Sequence, residues 1–194
     1  MASAAGAYPV VVDIDPAAPQ SRLSVFLRIL FAIPQFIVVY FVQLAASIVT
    51  LIAWLAILFT GKYPEGMLKF SIGALRWQTR VGGYMALLTD KYPPFSLEDD
   101  AAYPVRLSVD GQVEGRNRLT CFFRLLMLIP AVIVLYLVTI AAEVCILIAW
   151  LVALFTGSVP EGIHNFIAGW LRWQTRVSAY ALLQVDQYPP FSLN

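Results

Sequence analysis

The heptapeptide Leu-Arg-Trp-Gln-Thr-Arg-Val occurs twice, at residues 75–81 and 171–177, and each occurrence follows a long apolar run free of basic residues. The match extends to both sides: Arg22 with Arg118, Pro34 with Pro130, Trp54 with Trp150 and Phe95 with Phe191, every pair 96 positions apart. The openings, Tyr8-Pro9-Val10 and Tyr103-Pro104-Val105, stand 95 apart, so one residue was gained before Arg118, where Asp110-Gly111-Gln112 reads as a turn. Such a period is too long for a solenoid repeat. The chain is therefore read as a tandem duplication, copies 1–98 and 99–194, expected to pack as a pseudo-twofold pair.

A composition of 60% hydrophobic and 13% charged residues lies outside the balance of a soluble domain and places the chain in a bilayer. A net charge of +1 offers no basic surface for neutralising phosphates along a backbone, so no nucleic-acid partner is expected. Residues 1–7 have neither a basic stretch nor a cleavage-like pattern, and no cleaved signal peptide is expected. Cys121 and Cys145 stand where the first copy has Val25 and Val49, which marks them as packing positions with free, buried, inert thiols.

Within each copy the order is the same. Short extended segments rich in Val and Leu, residues 8–13 and 103–109, read as strands that pair across the twofold. Residues 29–60 and 125–156 contain no Lys or Arg, and one straight helix of that length runs about 45–50 Å, more than the ~30 Å hydrocarbon core. Three arrangements are compatible with this: a tilted or Pro34-kinked helix, a helical hairpin that dips and returns, or one crossing followed by a second at residues 65–88. Ser21 and Asn117 fall at N-cap positions, and Pro34 and Pro130 mark a bend. Because both copies repeat the same motifs outside the apolar run, an even number of crossings per copy keeps those motifs on one side, in line with the positive-inside bias.

The helix expected from Glu65 to Leu88 puts Lys69, Arg76 and Arg80 on one face and Phe70, Leu75, Trp77, Val81 and Met85 on the other, a pattern suited to the membrane interface. Gly61 and Gly157 read as left-handed C-caps that turn the chain into this helix. The pairs Arg76/Arg80 and Arg172/Arg176 survive duplication, whereas Lys69 became Asn165. Guanidinium forks suit carboxylates or phosphates, so salt bridges to the recurring Asp90 and Asp186 are expected, with anionic lipid headgroups as the alternative. Glu143, the one charge inside either apolar run, is an intramembrane candidate for the tip of a hairpin or an ion path. Its counterpart is Ser47, and the lone His164 matches Leu68, so neither carries a duplicated function.

The run ending Leu-Phe-Thr-Gly, then Leu-Arg-Trp with Arg-Val, then Asp-x-Tyr-Pro-Pro-Phe, resembles a bacterial membrane-protein family catalogued as a domain of unknown function. The resemblance covers nearly all of both copies and implies a bacterial inner-membrane setting, with no catalytic residues to carry over. The residues predict a mainly α membrane protein of two repeats, each with a long apolar helix or hairpin, a basic amphipathic helix and a short extramembrane strand. No enzyme activity, cofactor or metal is expected, because the unit has no recurring His, Cys or Lys. Membrane lipids, other membrane subunits or a second copy are the expected partners. The readings are an accessory or scaffold subunit first, a lipid-interacting or membrane-shaping protein second, and a transporter last.

Overall fold

The computed structural model describes residues 8–194; the segment read for a signal peptide lies outside them. In chain order the elements are β1 (Val10–Ile14), α1 (Arg22–Thr60), α2 (Glu65–Met85), β2 (Val105–Val109), α3 (Arg118–Phe122), α4 (Arg124–Thr156) and α5 (Glu161–Ala181).

Each apolar run is one continuous helix, 39 residues in α1 and 33 in α4, or about 58 and 50 Å long. Of the three arrangements compatible with the sequence, the helical hairpin is thus excluded. Nothing there breaks the hydrogen-bond ladder, since neither Gly nor Pro occurs between Pro34 and Gly61. Glu143 accordingly sits on the side of a helix, not at a tip. Both helices end as the glycines predict: Gly61 and Gly157 adopt φ of 72° and 77°, and the Gly61 N–H returns to the Ile57 carbonyl at 2.8 Å. Asn117 caps the second copy by accepting from the Leu119 and Thr120 N–H groups, while Ser21 occupies the equivalent position without a side-chain cap. Copy two also breaks its helix at Phe123, between α3 and α4, where copy one runs on.

β1 and β2 form an antiparallel pair with Val12 opposite Leu107, one strand from each copy. Val10, Val12, Ile14, Val105 and Leu107 face inward, as period-two alternation requires. The strands touch α2 and α5 but not the long helices, so α2 and α5 form a middle layer. Each strand packs on the helix of the other copy, β2 on α2 and β1 on α5. The duplicated units interlock.

Paired contacts locate the twofold. Thr79 and its equivalent Thr175 meet at 3.4 Å on the axis, as does the Val12–Leu107 pair. Trp150 Nε1 donates to the Val25 carbonyl at 3.1 Å and Trp54 Nε1 to the Cys121 carbonyl at 3.0 Å, so α1 and α4 are antiparallel and joined at both ends. The Gln20 N–H donates to the Gly157 carbonyl and the Arg116 N–H to that of Gly61. Arg118 rests over Gly61 and Arg22 over Gly157, each placing a cation at the negative end of the neighbouring helix dipole.

After each middle helix a strap returns along its flank. A Cβ at Gly73 would stand 2.9 Å from Leu97 Cβ, and one at Gly169 2.8 Å from the Leu193 carbonyl oxygen. Gly73→Ala and Gly169→Ala should each cost about 1–3 kcal/mol through overpacking. At Gly66 and Gly162, where no atom lies within 4 Å, alanine should be neutral or stabilising by up to ~1 kcal/mol. Thermal melting in detergent separates the two pairs; equal shifts would contradict this packing.

Candidate functional site

Two buried guanidiniums, Arg28 and Arg124, organise the polar structure at equivalent positions of α1 and α4. Arg28 donates to the carbonyls of Tyr84 and Thr89, to Gln20 Oε1 at 2.8 Å and to Asp90 Oδ1 at 2.9 Å. Its guanidinium also lies over the Tyr84 ring, 4.4 Å from the centroid. Arg124 donates to the Val185 carbonyl at 3.1 Å and to Asp186 Oδ1 at 2.6 Å, over the Tyr180 ring. These bonds gather the last turn of α2 or α5 against the start of the long helix.

The turn they hold is unusual. Leu87 and Leu183 adopt φ of 61° and 59°, the left-handed region that glycine usually occupies. Leu88 N–H returns to the Gly83 carbonyl and Leu87 N–H to that of Tyr84, the bond pair of a Schellman cap. Holding leucine there costs about 1–2 kcal/mol, offset by burial of its side chain and by capture of its carbonyl. Gln20 donates to Leu87 O at 2.6 Å, and Arg116, the counterpart of Gln20, donates to Leu183 O. Burial pulls the Arg116 guanidinium down from its usual range, with the Asp186 carboxylate opposing, and the two stand 3.0 Å apart.

Asp90 and Asp186 are therefore bound, but not by the expected partners. Their second oxygens accept the Ser21 and Asn117 N–H groups, both at 3.0 Å, where a carboxylate complements the dipole of a long helix whose first turn has no acid. Arg76, Arg80, Arg172 and Arg176 instead hold backbone. Arg76 Nε donates to Leu107 O at 3.3 Å and Arg172 Nε to Val12 O at 3.2 Å, the two central strand carbonyls. Arg76 also reaches Leu97 O, and Asp99 lies 3.6 Å away. Arg80 donates to the Ser96 and Glu98 carbonyls, and Arg176 to Ser192 O. Burial, together with neighbouring Arg76, lowers the Arg80 guanidinium, with Asp100, Asp99 and Tyr103 opposing. The predicted salt bridge to Asp90 fails because Asp90 lies beyond the helix end, beside α1, whereas the proline strap runs back past Arg76 and Arg80 and offers its carbonyls.

The apolar face of α2 is likewise taken up by protein. Leu75, Trp77 and Val81 are buried against neighbouring elements, so α2 does not lie with that face in the interface. Cys121 is buried and free, yet it is more than packing, since its thiol approaches Asp186 Oδ1 at 3.7 Å. Cys145 is free and half-buried. His164 is buried with neither ring nitrogen hydrogen-bonded.

The repeated constituents, from long helix through buried arginine to proline strap, coincide with one family unit. The chain belongs to the family described as Domain of unknown function (DUF4389). The family matches it twice, at residues 22–96 and 118–192. The first match starts with α1 and the second with α3, just before α4, and both stop within the strap, leaving both strands outside. Comparison with curated proteins and with solved structures gives no match.

What each family unit leaves open is its long helix. Both α1 and α4 are long and apolar enough to cross a membrane, and only 11% and 17% of their most apolar stretches is buried. Among the described residues, the exposed large apolar side chains lie at 22–60 or 118–156, save Val11, Tyr92, Phe95 and Phe191. Two pseudo-equivalent recesses open between α1 and α4. One, about 360 Å³, is lined by Ile29, Leu87, Ile146 and Trp150 with Glu143 at its edge; the other, about 300 Å³, has Ser47 in that place among Leu51, Trp54, Leu125 and Leu183. A smaller recess of about 120 Å³ lies on the axis, lined by Thr79, Thr175, Gln78 and Gln174.

Sequence reading overlooked Arg28, Arg124, Arg116 and Gln20. The first two were visible by the same test that singled out Arg76, standing 96 apart at the edge of the apolar runs. Replacing Arg28 by Met should cost about 3–5 kcal/mol, because it strips two buried carbonyls, Gln20 Oε1 and the Asp90 carboxylate of their cation, and Arg124→Met should cost less, since Arg116 still pairs with Asp186. Asp90→Asn should cost less, since the carbonyls still hold the guanidinium. Denaturant unfolding in detergent reads the order; a harmless Arg28→Met would contradict the assignment.

Proposed function

We propose that this chain is a non-enzymatic, lipid-embedded membrane protein whose long helices rest in hydrocarbon and whose strands and straps form a water-facing cap. The observation that carries this reading is the segregation of its surface. Between residues 29 and 60 and between 125 and 156 the only charged residue is Glu143, and there the large apolar side chains stand exposed. A soluble monomer shows contiguous apolar patches of a few hundred Å² at most; here the flanks of two helices, each about 50 Å or longer, are bare. The polar groups that duplication kept are occupied in structure: Arg76 and Arg80 on carbonyls, Arg28 and Arg124 on caps and carboxylates. Side chains so engaged serve architecture, and this supports the non-catalytic reading.

Of the possible roles, interaction with lipid is the one the exposed helices favour, within a bacterial inner membrane. A scaffold or accessory role is a second reading, favoured by the exposed acids Glu98, Asp99 and Glu114 on the cap, which offer a polar surface for another subunit.

Reconstituted protein should float with liposomes and resist alkaline carbonate. Leu51→Lys and Leu147→Lys, at exposed positions, should each weaken retention by about 2.5–3.5 kcal/mol if the site is deep in hydrocarbon. A monodisperse, detergent-free monomer in water would contradict the reading, as would turnover lost on replacing Glu143 or Asp186.

A further inference from the structure

We infer that α1 and α4 do not cross the bilayer but lie along a single leaflet, with the pseudo-twofold axis near the membrane normal and the strand-and-strap cap in water. This rests on the membrane-embedded reading above and names its partner, the acyl chains of one leaflet.

The twofold fixes the heights. Val25 accepts from Trp150, the equivalent of Trp54. Rotation about a twofold leaves height along the axis unchanged, so residues 25 and 54 stand at one level to within the reach of a tryptophan side chain. Cys121 and Trp54 give the same relation from the other end. The stretch between them, about 44 Å of helix at 1.5 Å per residue, therefore runs nearly perpendicular to the axis. The sheet sits on that axis at Val12–Leu107, beyond α2 and α5.

Were α1 upright in the bilayer, the axis would lie in the membrane plane and the sheet would fall at mid-depth. That sheet exposes Asp13 and Asp15 around Arg106, whose guanidinium they hold at 2.5 and 2.6 Å. It also has only two strands, so apart from the Val12 and Leu107 carbonyls, taken by Arg172 and Arg76, its outer edges present backbone groups with no strand partner. Lipid solvates neither charges nor open sheet edges. The far ends of the straps, with Glu98 and Asp99 exposed beside Arg80 and Arg76, would share that depth.

Turned by a right angle, the same molecule keeps only one charge, Glu143, in its lipid-facing apolar runs. The sheet and straps point to water, and both ends of each long helix, with Arg22 at one and the Lys62–Glu114 pair at the other, reach the same interface. A helix about 10–12 Å across fits within one leaflet, half of a ~30 Å core. The two recesses between α1 and α4 then open to the same leaflet, each lined by aliphatic and tryptophan side chains that suit an acyl chain. The recess on the axis presents amides and hydroxyls but no charge.

The test uses full-length protein with Cys121→Val and Cys145→Val, the residues of the other copy, and single cysteines at Ala18 or Lys62, exposed positions before and after α1. Sealed right-side-out and inside-out vesicles of the host membrane are treated with a membrane-impermeant maleimide, and carbonate extraction is run in parallel. Ala18→Cys and Lys62→Cys should both be labelled in one vesicle orientation and both be protected in the other, with Ser158→Cys, after α4, following them. Opposite labelling of Ala18→Cys and Lys62→Cys in carbonate-resistant protein would overturn the in-plane inference and leave the membrane reading standing. Release of the protein by carbonate would overturn the membrane reading itself.

Discussion

Hydrocarbon accepts neither charge nor an unpaired backbone group, and on the membrane-embedded reading proposed above that constraint sorts the elements of this chain. α1 and α4 satisfy it by being helical throughout and, over residues 29–60 and 125–156, free of charge but for Glu143. The nearest cations to the apolar runs, Arg28 and Arg124, mark the boundary. Each is buried, so its terminal nitrogens are held by carbonyls and a carboxylate of the turn that follows the middle helix, while its Nε has no partner. In meeting that demand the turn gains a carboxylate that also complements the start of the long helix. One buried group therefore joins the long helix, the middle helix and the strap.

Duplication answers a second constraint. A single unit would leave a lone strand with two open edges, a middle helix with one flank bare and a long helix whose C-terminal carbonyls lack partners. The second copy supplies all three: β2 pairs with β1, α5 packs on α2, and Arg118 and Arg116 meet the end of α1 at Gly61. The exchange of strands between copies makes the pair a single folding object. Where the copies diverge, the consequences are local. Gln35 bonds both Trp77 Nε1 and the Pro93 carbonyl, whereas Ala131 in its place leaves Trp173 Nε1 without a partner.

Much of this was legible in the residues. The constant offset between copies gave the twofold, Gly61 and Gly157 gave the helix ends, and the valine-rich segments gave the strand pair. The hairpin stood among three arrangements because hydropathy counts length and says nothing of direction: a run longer than the bilayer is thick can fold back or lie flat with equal composition. Arg76 and Arg80 were assigned the wrong acceptors because sequence proximity favours Asp90, while the backbone carbonyls that bind them carry no sequence signal. Arg28 escaped notice by standing one residue before the stretch counted as apolar. The parity argument, which asks for an even number of crossings per copy, is met by zero as well as by two.

The most direct measurement is the depth of α1 along its length. Spin labels at Leu30, Tyr40, Leu51 and Phe59, all exposed positions, would be placed one at a time in protein lacking native cysteines and reconstituted in bilayers. The ratio of collision with oxygen to collision with a nickel chelate reports depth for each. With α1 lying along one leaflet, the labels at 30 and 59 should lie at similar, shallow depths on one side, with none reaching the opposite headgroups. A steady progression from one face through the bilayer centre to the other would contradict it.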